Sequence, residues 1–501
     1  MMKDIFTVKR YCNISLEEER LLTSNKRPIL LLNKKNDYKL PQNLSPNNKK
    51  IGVMLPYTPM HYLLFEDNIE ALVMTSANIS GEPMIYKNDE AIRKLNNIAD
   101  YYLMNNREIY IPIDDSVSSV IYNSEKTIRL GRGYAPMALS IKTKQAILAL
   151  GSELKNTFSL SNKNDIFISE YIGDLKEINT LNNLENCLKH FIKIYEVDPK
   201  VIAVDLHPNF ICKELDIYQK YKCNNIIKVQ HHHAHIVSCM VDNSLDNKVI
   251  GIAFDGTGYG YDNKIWGGEF IICDKKSFNR VGQLEDFKLA GGESAIKEPW
   301  KIAISLIYKV YNDDFIKYMP SDLIDKDYNV IKKMINKNIN CPETSSMGRL
   351  FDAISSILGF DKMVSFEGEA AIYLENICDE FVHDYFDYFI KINNDRYELC
   401  FDNTIKGILE DLNNKVDKSV IAKKFHNTII RSSVDLAVLL REKFNINIIC
   451  LSGGVFQNEI LLSGISKELK SRGFKVFTHK NIPCNDSGIS LGQLIIANEN
   501  I

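Results

Sequence analysis

Short apolar runs closed by polar or glycine-bearing turns recur along the chain, and between them lie stretches whose apolar residues return at helical spacing. SLEEERLLTS at 15–24 carries the helical pattern, whereas PILLL at 28–32 and ALVMTSAN at 71–78 are short apolar runs, so the first part mixes helices and strands. Turn residues in GRGYAPMALSIKTK at 131–144 mark a seam, and two domains are expected, 1–141 and 146–501. Beyond the seam an apolar run, a small-residue turn and a second extended run occur twice, as AILALGSELKNTFSLS at 146–161 and VIGIAFDGTGYGYDNKIWGGEFII at 249–272. Two such hairpins, each opening about a hundred residues, predict a duplicated α/β architecture with the tips facing one cleft. VIAVD at 201–205 and IICLSGG at 448–454 are further strands ending in tight turns. The second leads into VFQNEILLSGISKELK, read as a helix whose N-terminus and preceding Ser-Gly-Gly turn suit a phosphate.

NIIKVQ at 225–230 reads as a strand and HHHAHIVSCMVDN at 231–243 as a helix, free of Gly and Pro. Four of the ten histidines sit in this stretch; it is internal and broken by Ala234, which excludes a purification tag. Four residues apart on a helix, His231 and His235 share a face and suit one metal ion, while His232 and His233 rotate away. Cys239 continues the same face and is expected to be a buried core thiol. Two imidazoles need a carboxylate, and two are well placed: Asp255 at the end of VIGIAF, and Asp486 in CNDSGISLGQ before a C-terminal helix. On spacing alone, a metal site and a hydrogen-bonded helix N-terminus both stay open.

Composition narrows the partners. With 45% hydrophobic and 25% charged residues the 501-residue chain is ordinary for globular protein, and its net charge of -3 gives no general footprint for nucleic acid. Eleven cysteines without a C-x-x-C pair point to reduced, buried thiols rather than a zinc ribbon. No run of 18 apolar residues or signal peptide is present, so a cytoplasmic protein is expected.

VQHHHAH, AFDGTGYG, WGGEF, EPW, SSMGRLFDA, FEGEAA, LSGGVFQN and NDSGISLGQ, in that order, resemble the HypF family, the carbamoyltransferases of nickel–iron hydrogenase maturation. LPYTPMHYLL, MTSANISGEP, IDDSV and IRLGRGYAP resemble the YrdC-like adenylation domain that precedes this region in the family. The resemblance implies an α/β fold: a partial YrdC-like domain followed by a duplicated, actin-like ATPase domain of the Kae1 type. It also implies carbamoyl-AMP, made from Mg-ATP and the carbamate released from carbamoyl phosphate, and transfer of the carbamoyl group to the C-terminal cysteine of HypE. By resemblance the metal, zinc or iron, would be held by His231, His235, Asp255 and Asp486. Thr257, Gly258, Gly453, Gly454 and Asn458 would line the nucleotide pocket, and Thr75, Ser76, Asn78 and Arg129, with Ser80, would contact nucleotide in the first domain. Lys155, Asp174, Lys297, Glu298, Arg349, Asp352 and Glu367 fall within motifs resembling the family's active-site motifs, with structural ion pairing as the competing role.

Family members carry further domains upstream: an acylphosphatase-like domain, a cysteine-rich zinc-finger-like region and the first part of the YrdC-like domain. The chain is therefore expected to be a fragment, half of a split protein completed by a separate chain, or a shortened variant. A partial YrdC-like domain would expose strand edges and apolar surface, so independent adenylation is not expected, whereas the Kae1-like region is expected to keep metal and nucleotide binding. Other functions compete: carbamoyl transfer to a small-molecule hydroxyl, threonylcarbamoyl transfer to tRNA, against which the acidic balance weighs, and an inactive nucleotide-binding scaffold.

Overall fold

Two sheets of the same topology organise most of the chain. A computed structural model describes residues 1–37, 39–66, 68–79, 82–221 and 225–501. The described residues form two compact units, Met1–Val229 with Lys480–Ile501, and Gln230–His479. This division falls within the expected 146–501 domain.

In the second unit the strands Val249–Tyr259, Ile265–Cys273 and Phe278–Leu284 form an antiparallel meander. On the other side of the first of them lie the parallel strands Ile448–Ser452 and then Lys475–Thr478. Numbered within the repeat, the order is 3-2-1-4-5. The first unit repeats it. Ile147–Ala149, Ser159–Ser161 and Ile166–Ile168 make the meander, and Val201–Asp205 and Asn225–Val229 are the parallel strands. The duplication predicted from two hairpins is present at the level of strand order. Both central strands read as unbroken apolar runs because helices cover both faces of such a sheet.

In the first unit the helix Ile489–Glu499 packs on strands 147–149 and 201–205. Its Gln493 amide accepts from Gly151 N–H at 2.9 Å and donates to Gly151 O at 3.0 Å. Leu148, Leu150, Phe158, Leu184, Leu188 and Val204 form the core beside it.

The N-terminal part of this unit carries its own four-stranded sheet, in the order Lys50–Val53, Ile29–Asn33, Val117–Ile121, Ser124–Arg129. The predicted helix lies at Leu16–Thr23, started by a Ser15–Glu18 capping box. The apolar run 71–78 does not form a strand: only Ala71 bridges, to Met2, and Val73 is 72% exposed. Without a neighbouring strand to take its backbone groups, an apolar run of this length has no ladder to join. Tyr101, Leu103 and Tyr110 are also strongly exposed. No helix among the described residues is long and apolar enough to cross a membrane. The ten described cysteines are free and nine are buried; Cys223 lies outside the described residues.

Candidate metal and nucleotide site

The histidine helix runs from His231 to Asp242 and starts where Gln230 caps it, its Oε1 accepting from His233 N–H at 2.9 Å. The helix packs against strands 249–259 and 448–452, and residues 231–241 are all buried. Apolar positions such as Ile236 and Val237 each contribute about 1.5–3 kcal/mol by this burial. That anchoring fixes the direction in which His231 and His235 project.

Strand 249–259 meets the two imidazoles where its ladder breaks. Pairing with 265–273 is regular up to Phe254 and resumes at Gly258 after a register shift, so Asp255, Gly256 and Thr257 bulge from the sheet. Asp255 is buried, and its Oδ2 lies 3.3 Å from both His231 Nε2 and His235 Nε2. Its Oδ1 accepts from Gly454 N–H at 3.0 Å. Burial alone would raise the Asp255 carboxyl, but the hydrogen bonds and charges of His231 and His235 outweigh it and hold the group well below the usual carboxylate range. One ligand atom from each of these three residues lies within 4.8 Å of the others. Two imidazole nitrogens and one carboxylate oxygen, buried and convergent, are a donor set that fits zinc or ferrous iron and leaves coordination positions open. Asp486, the fourth expected ligand, starts the 3-10 turn Asp486–Gly488 of the first unit, after Asn485, whose Oδ1 caps Ser487 N–H at 3.1 Å.

The two middle histidines are held elsewhere. Because the Gln230 amide oxygen caps the helix, its nitrogen faces His232 Nδ1 at 3.1 Å, which must accept, and burial keeps the His232 ring neutral, its pKa well below the ordinary value. His233 Nε2 bonds to Asp274 O at 2.8 Å. Cys239 is fully buried, with Sγ toward Phe477 O. Cys239→Ser is expected to leave metal content unchanged; a fall in bound zinc per chain, measured by atomic emission, would place this thiol in the site.

Beside Asp255, strand 448–452 ends in Ser452 and the Gly453–Gly454 turn. A 3-10 segment, Gly454–Gln457, follows, so the helix predicted from Val455 begins only at Glu459. Asn458 is its cap: Oδ1 accepts from Leu461 N–H at 2.9 Å, which leaves Nδ2 to donate to His426 Nε2 at 3.0 Å. His426 Nδ1–H then donates to Ala422 O at 2.8 Å. His426 is fully buried, and burial pushes its pKa down to about 4. The unfolded chain takes up this proton near pH 6.5 and the folded chain only near 4, so stability falls as pH drops through that window, by about 3 kcal/mol from this residue. Urea unfolding at pH 7 and pH 4.5 should show that loss, and His426→Gln should show a shallower one.

Arg349 and Asp352 lie on the helix Met347–Ile357, 5% and 3% exposed, with Arg349 Nη2 3.1 Å from Asp352 Oδ2. Arg349 Nε and Nη1 have no hydrogen-bond partner among the described residues. Burial raises the Asp352 carboxyl; Arg349 opposes this and Glu367 adds to it. The structure thus brings Arg349, Asp352 and Glu367 into one electrostatic neighbourhood. Lys155 and Asp174 also meet, Lys155 N–H donating to Asp174 Oδ1 at 3.0 Å in the first unit. Lys297 is exposed at the end of helix Glu293–Lys297, and Glu298 accepts from Trp300 Nε1 at 3.2 Å and pairs with Lys301. Thr75, Ser76 and Asn78 share a turn in which Ser76 Oγ donates to Asn78 Oδ1 at 2.6 Å, whereas Arg129 faces Asp114 and the Tyr171 ring. Ser80 lies outside the described residues.

Comparison with known proteins matches three successive regions of the chain. Residues 1–131 match the YrdC-type family profile described as Telomere recombination, 142–242 the HypF Kae1-like domain, and 251–493 the second subdomain of the carbamoyltransferase Kae1-like domain. Carbamoyltransferase HypF of Synechocystis is 36% identical over 509 residues, covering 97% of this chain and 65% of the relative. Probable carbamoyltransferase HypF of Methanocaldococcus jannaschii is 35% identical, covering 98% and 65%. The chain belongs to the HypF family. Its fold is the YrdC-like and duplicated Kae1-like α/β arrangement that the motifs implied. A crystal structure of full-length HypF in the phosphate- and nucleotide-bound form superposes with a TM-score of 0.94 at 44% identity, over 100% of this chain and 66% of that one. HypF of T. kodakarensis gives 0.92 at 33% identity, with the same coverage. The chain thus spans about 65% of the length of these curated HypF relatives.

Proposed function

We propose that the chain is a carbamoyltransferase of nickel–iron hydrogenase maturation that moves the carbamoyl group of carbamoyl-AMP to the C-terminal cysteine of HypE. What carries this reading is one buried carboxylate, Asp255, set between two imidazoles and a glycine-turn N–H, in a chain similar over nearly its whole length to carbamoyltransferases. A divalent ion there, zinc or iron, would supply Lewis-acid polarisation of the carbamoyl carbonyl. His231, His235 and Asp255 would hold it, and Asp486 is proposed as the fourth ligand.

The remaining roles belong to the chain's own groups. Thr257 in the bulge after Asp255, Gly258 where pairing resumes, and the Gly453–Gly454 turn beside Asp255 are proposed to receive the adenylate. Arg349 supports an anionic ligand: beside its pairing with Asp352, this buried guanidinium has two donor nitrogens with no partner among the described residues, a desolvation cost that a phosphate or carbamoyl oxygen relieves. Lys155, Asp174, Lys297 and Glu298 are assigned to the surrounding contacts. In the transfer the thiolate sulfur forms the new bond to the carbamoyl carbon as the bond to the AMP oxygen breaks. Together with the upstream domains of family members, the YrdC-like region is proposed to form carbamoyl-AMP from Mg-ATP and carbamate derived from carbamoyl phosphate.

The test is incubation of the chain with carbamoyl phosphate, Mg-ATP and purified HypE, read by mass spectrometry of the HypE C-terminus and by AMP release, with a full-length HypF relative in parallel. A carbamoylated cysteine is the expected product when a polypeptide carrying the upstream domains of family members is added, and is not expected from the chain alone. AMP without carbamoyl-HypE, where the relative yields both, would overturn the acceptor assignment. Neither product with that polypeptide present would overturn activity in this chain, and carbamoylation by the chain alone would overturn the expectation that adenylation needs the upstream domains.

A further inference from the structure

A buried ion pair outside the proposed ligand set stands behind the metal-ligating strand. Glu269 is fully buried on strand 265–273 and Arg280 is 8% exposed on strand 278–284, with Arg280 Nε 2.6 Å from Glu269 Oε2. All of the polar atoms are engaged. Glu269 Oε1 accepts from Gly267 N–H at 3.1 Å, Gly268 N–H at 3.3 Å and Ser345 Oγ at 2.5 Å. Arg280 Nη2 donates to Ser345 Oγ at 3.1 Å and Nη1 to Asp262 Oδ2 at 3.3 Å. The guanidinium lies over the Trp266 ring at 3.8 Å, and Trp266 Nε1 donates to Asp262 Oδ1 at 2.8 Å.

The next residue connects this network to the metal site. Ser346 Oγ lies 2.9 Å from Asp255 O and 2.7 Å from Gly256 O, and accepts from Arg349 N–H at 3.1 Å as the cap of helix 347–357. A carbon added at Gly348 would stand 2.9 Å from Gly256 Cα, so this helix start presses directly on the bulge that aims Asp255. A buried ion pair loses hydration on both partners that its attraction barely recovers, so it is a poor source of stability; what it does well is fix a geometry.

We infer that Glu269 and Arg280 are positioning residues: through Ser345 and Ser346 they set where Asp255 and Arg349 point, and thereby tune the metal site. The inference rests on the metal reading above. Groups that orient a ligand from behind typically change metal affinity by about 10–100-fold when removed.

The test titrates cobalt(II) alone into the full chain and follows its visible d–d absorption, with thermal melting of each metal-free protein alongside. Ser345→Ala cuts the connection and leaves the Glu269–Arg280 pair intact; Glu269→Gln breaks the pair. Expected are a cobalt spectrum for the wild type, and for Ser345→Ala an altered spectrum with about tenfold weaker affinity at near wild-type melting temperature. Glu269→Gln should show the larger change, and if it does not fold, Ser345→Ala decides. A folded Ser345→Ala with wild-type spectrum and affinity would overturn the positioning role while the metal reading stands. No cobalt uptake by the wild type would overturn the metal reading, and this inference with it.

Discussion

Asp255→Asn abolishes divalent-metal uptake while the protein stays folded. The substitution keeps the size of the side chain and one carbonyl oxygen for Gly454 N–H, so the turn beside it keeps its partner. The other oxygen, which lies 3.3 Å from both imidazole nitrogens, becomes an amide N–H₂ that cannot donate electrons to a metal. Even groups that only orient a ligand cost up to about 100-fold in affinity, and loss of the sole carboxylate in this trio should exceed that. Metal analysis after dialysis should fall to background, and His235→Ala should do the same. An unchanged metal-to-protein ratio in either folded variant would remove the site.

The second large effect is expected at Gly453, where alanine is excluded twice. The residue has φ 106° and ψ 156°, a conformation in which side-chain-bearing residues are strained by about 1–3 kcal/mol. A methyl group there would also stand 2.2 Å from Phe254 O, a backbone atom of the central strand that has no rotamer to yield. Gly453→Ala should therefore lower the unfolding free energy by about 3 kcal/mol or more and pull Gly454 N–H away from Asp255. Denaturant unfolding and zinc titration should both register it. Wild-type values in both would mean that the turn bends without cost and that its strain is not what holds Asp255.

Part of this was legible in the sequence because local rules governed it. The helix at 231–242 follows from a Gly- and Pro-free stretch after a strand, and the i, i+4 rule then puts His231 and His235 on one face. Asp255 was legible because an apolar run ends there, and the duplicated hairpins because an apolar run, a small-residue turn and a second extended run occur twice. What escaped depends on distant partners. Asn458, assigned to the nucleotide pocket by resemblance, also caps a helix and donates to His426, 32 residues away, a contact no local rule shows. Glu269 lies in the WGGEF motif and Arg280 in none of the motifs, but only the folded sheet shows the two buried and joined to Ser345. The run at 71–78 misled because apolar character alone cannot supply a neighbouring strand.

The strand order carries a consequence for when the site comes into being. Strand 249–259 pairs on one side with the strand that follows it within a few residues, and on the other with 448–452; the bond from Asp255 to Gly454 closes a loop of 199 residues. Closing so long a loop is entropically slow, whereas the hairpin beside it forms locally. Both imidazoles and the carboxylate can thus be synthesised, and the meander formed, well before the glycine turn arrives to orient Asp255. Capture of metal during refolding should then track the slowest phase rather than the first, making the ion a reporter of completed folding in this unit.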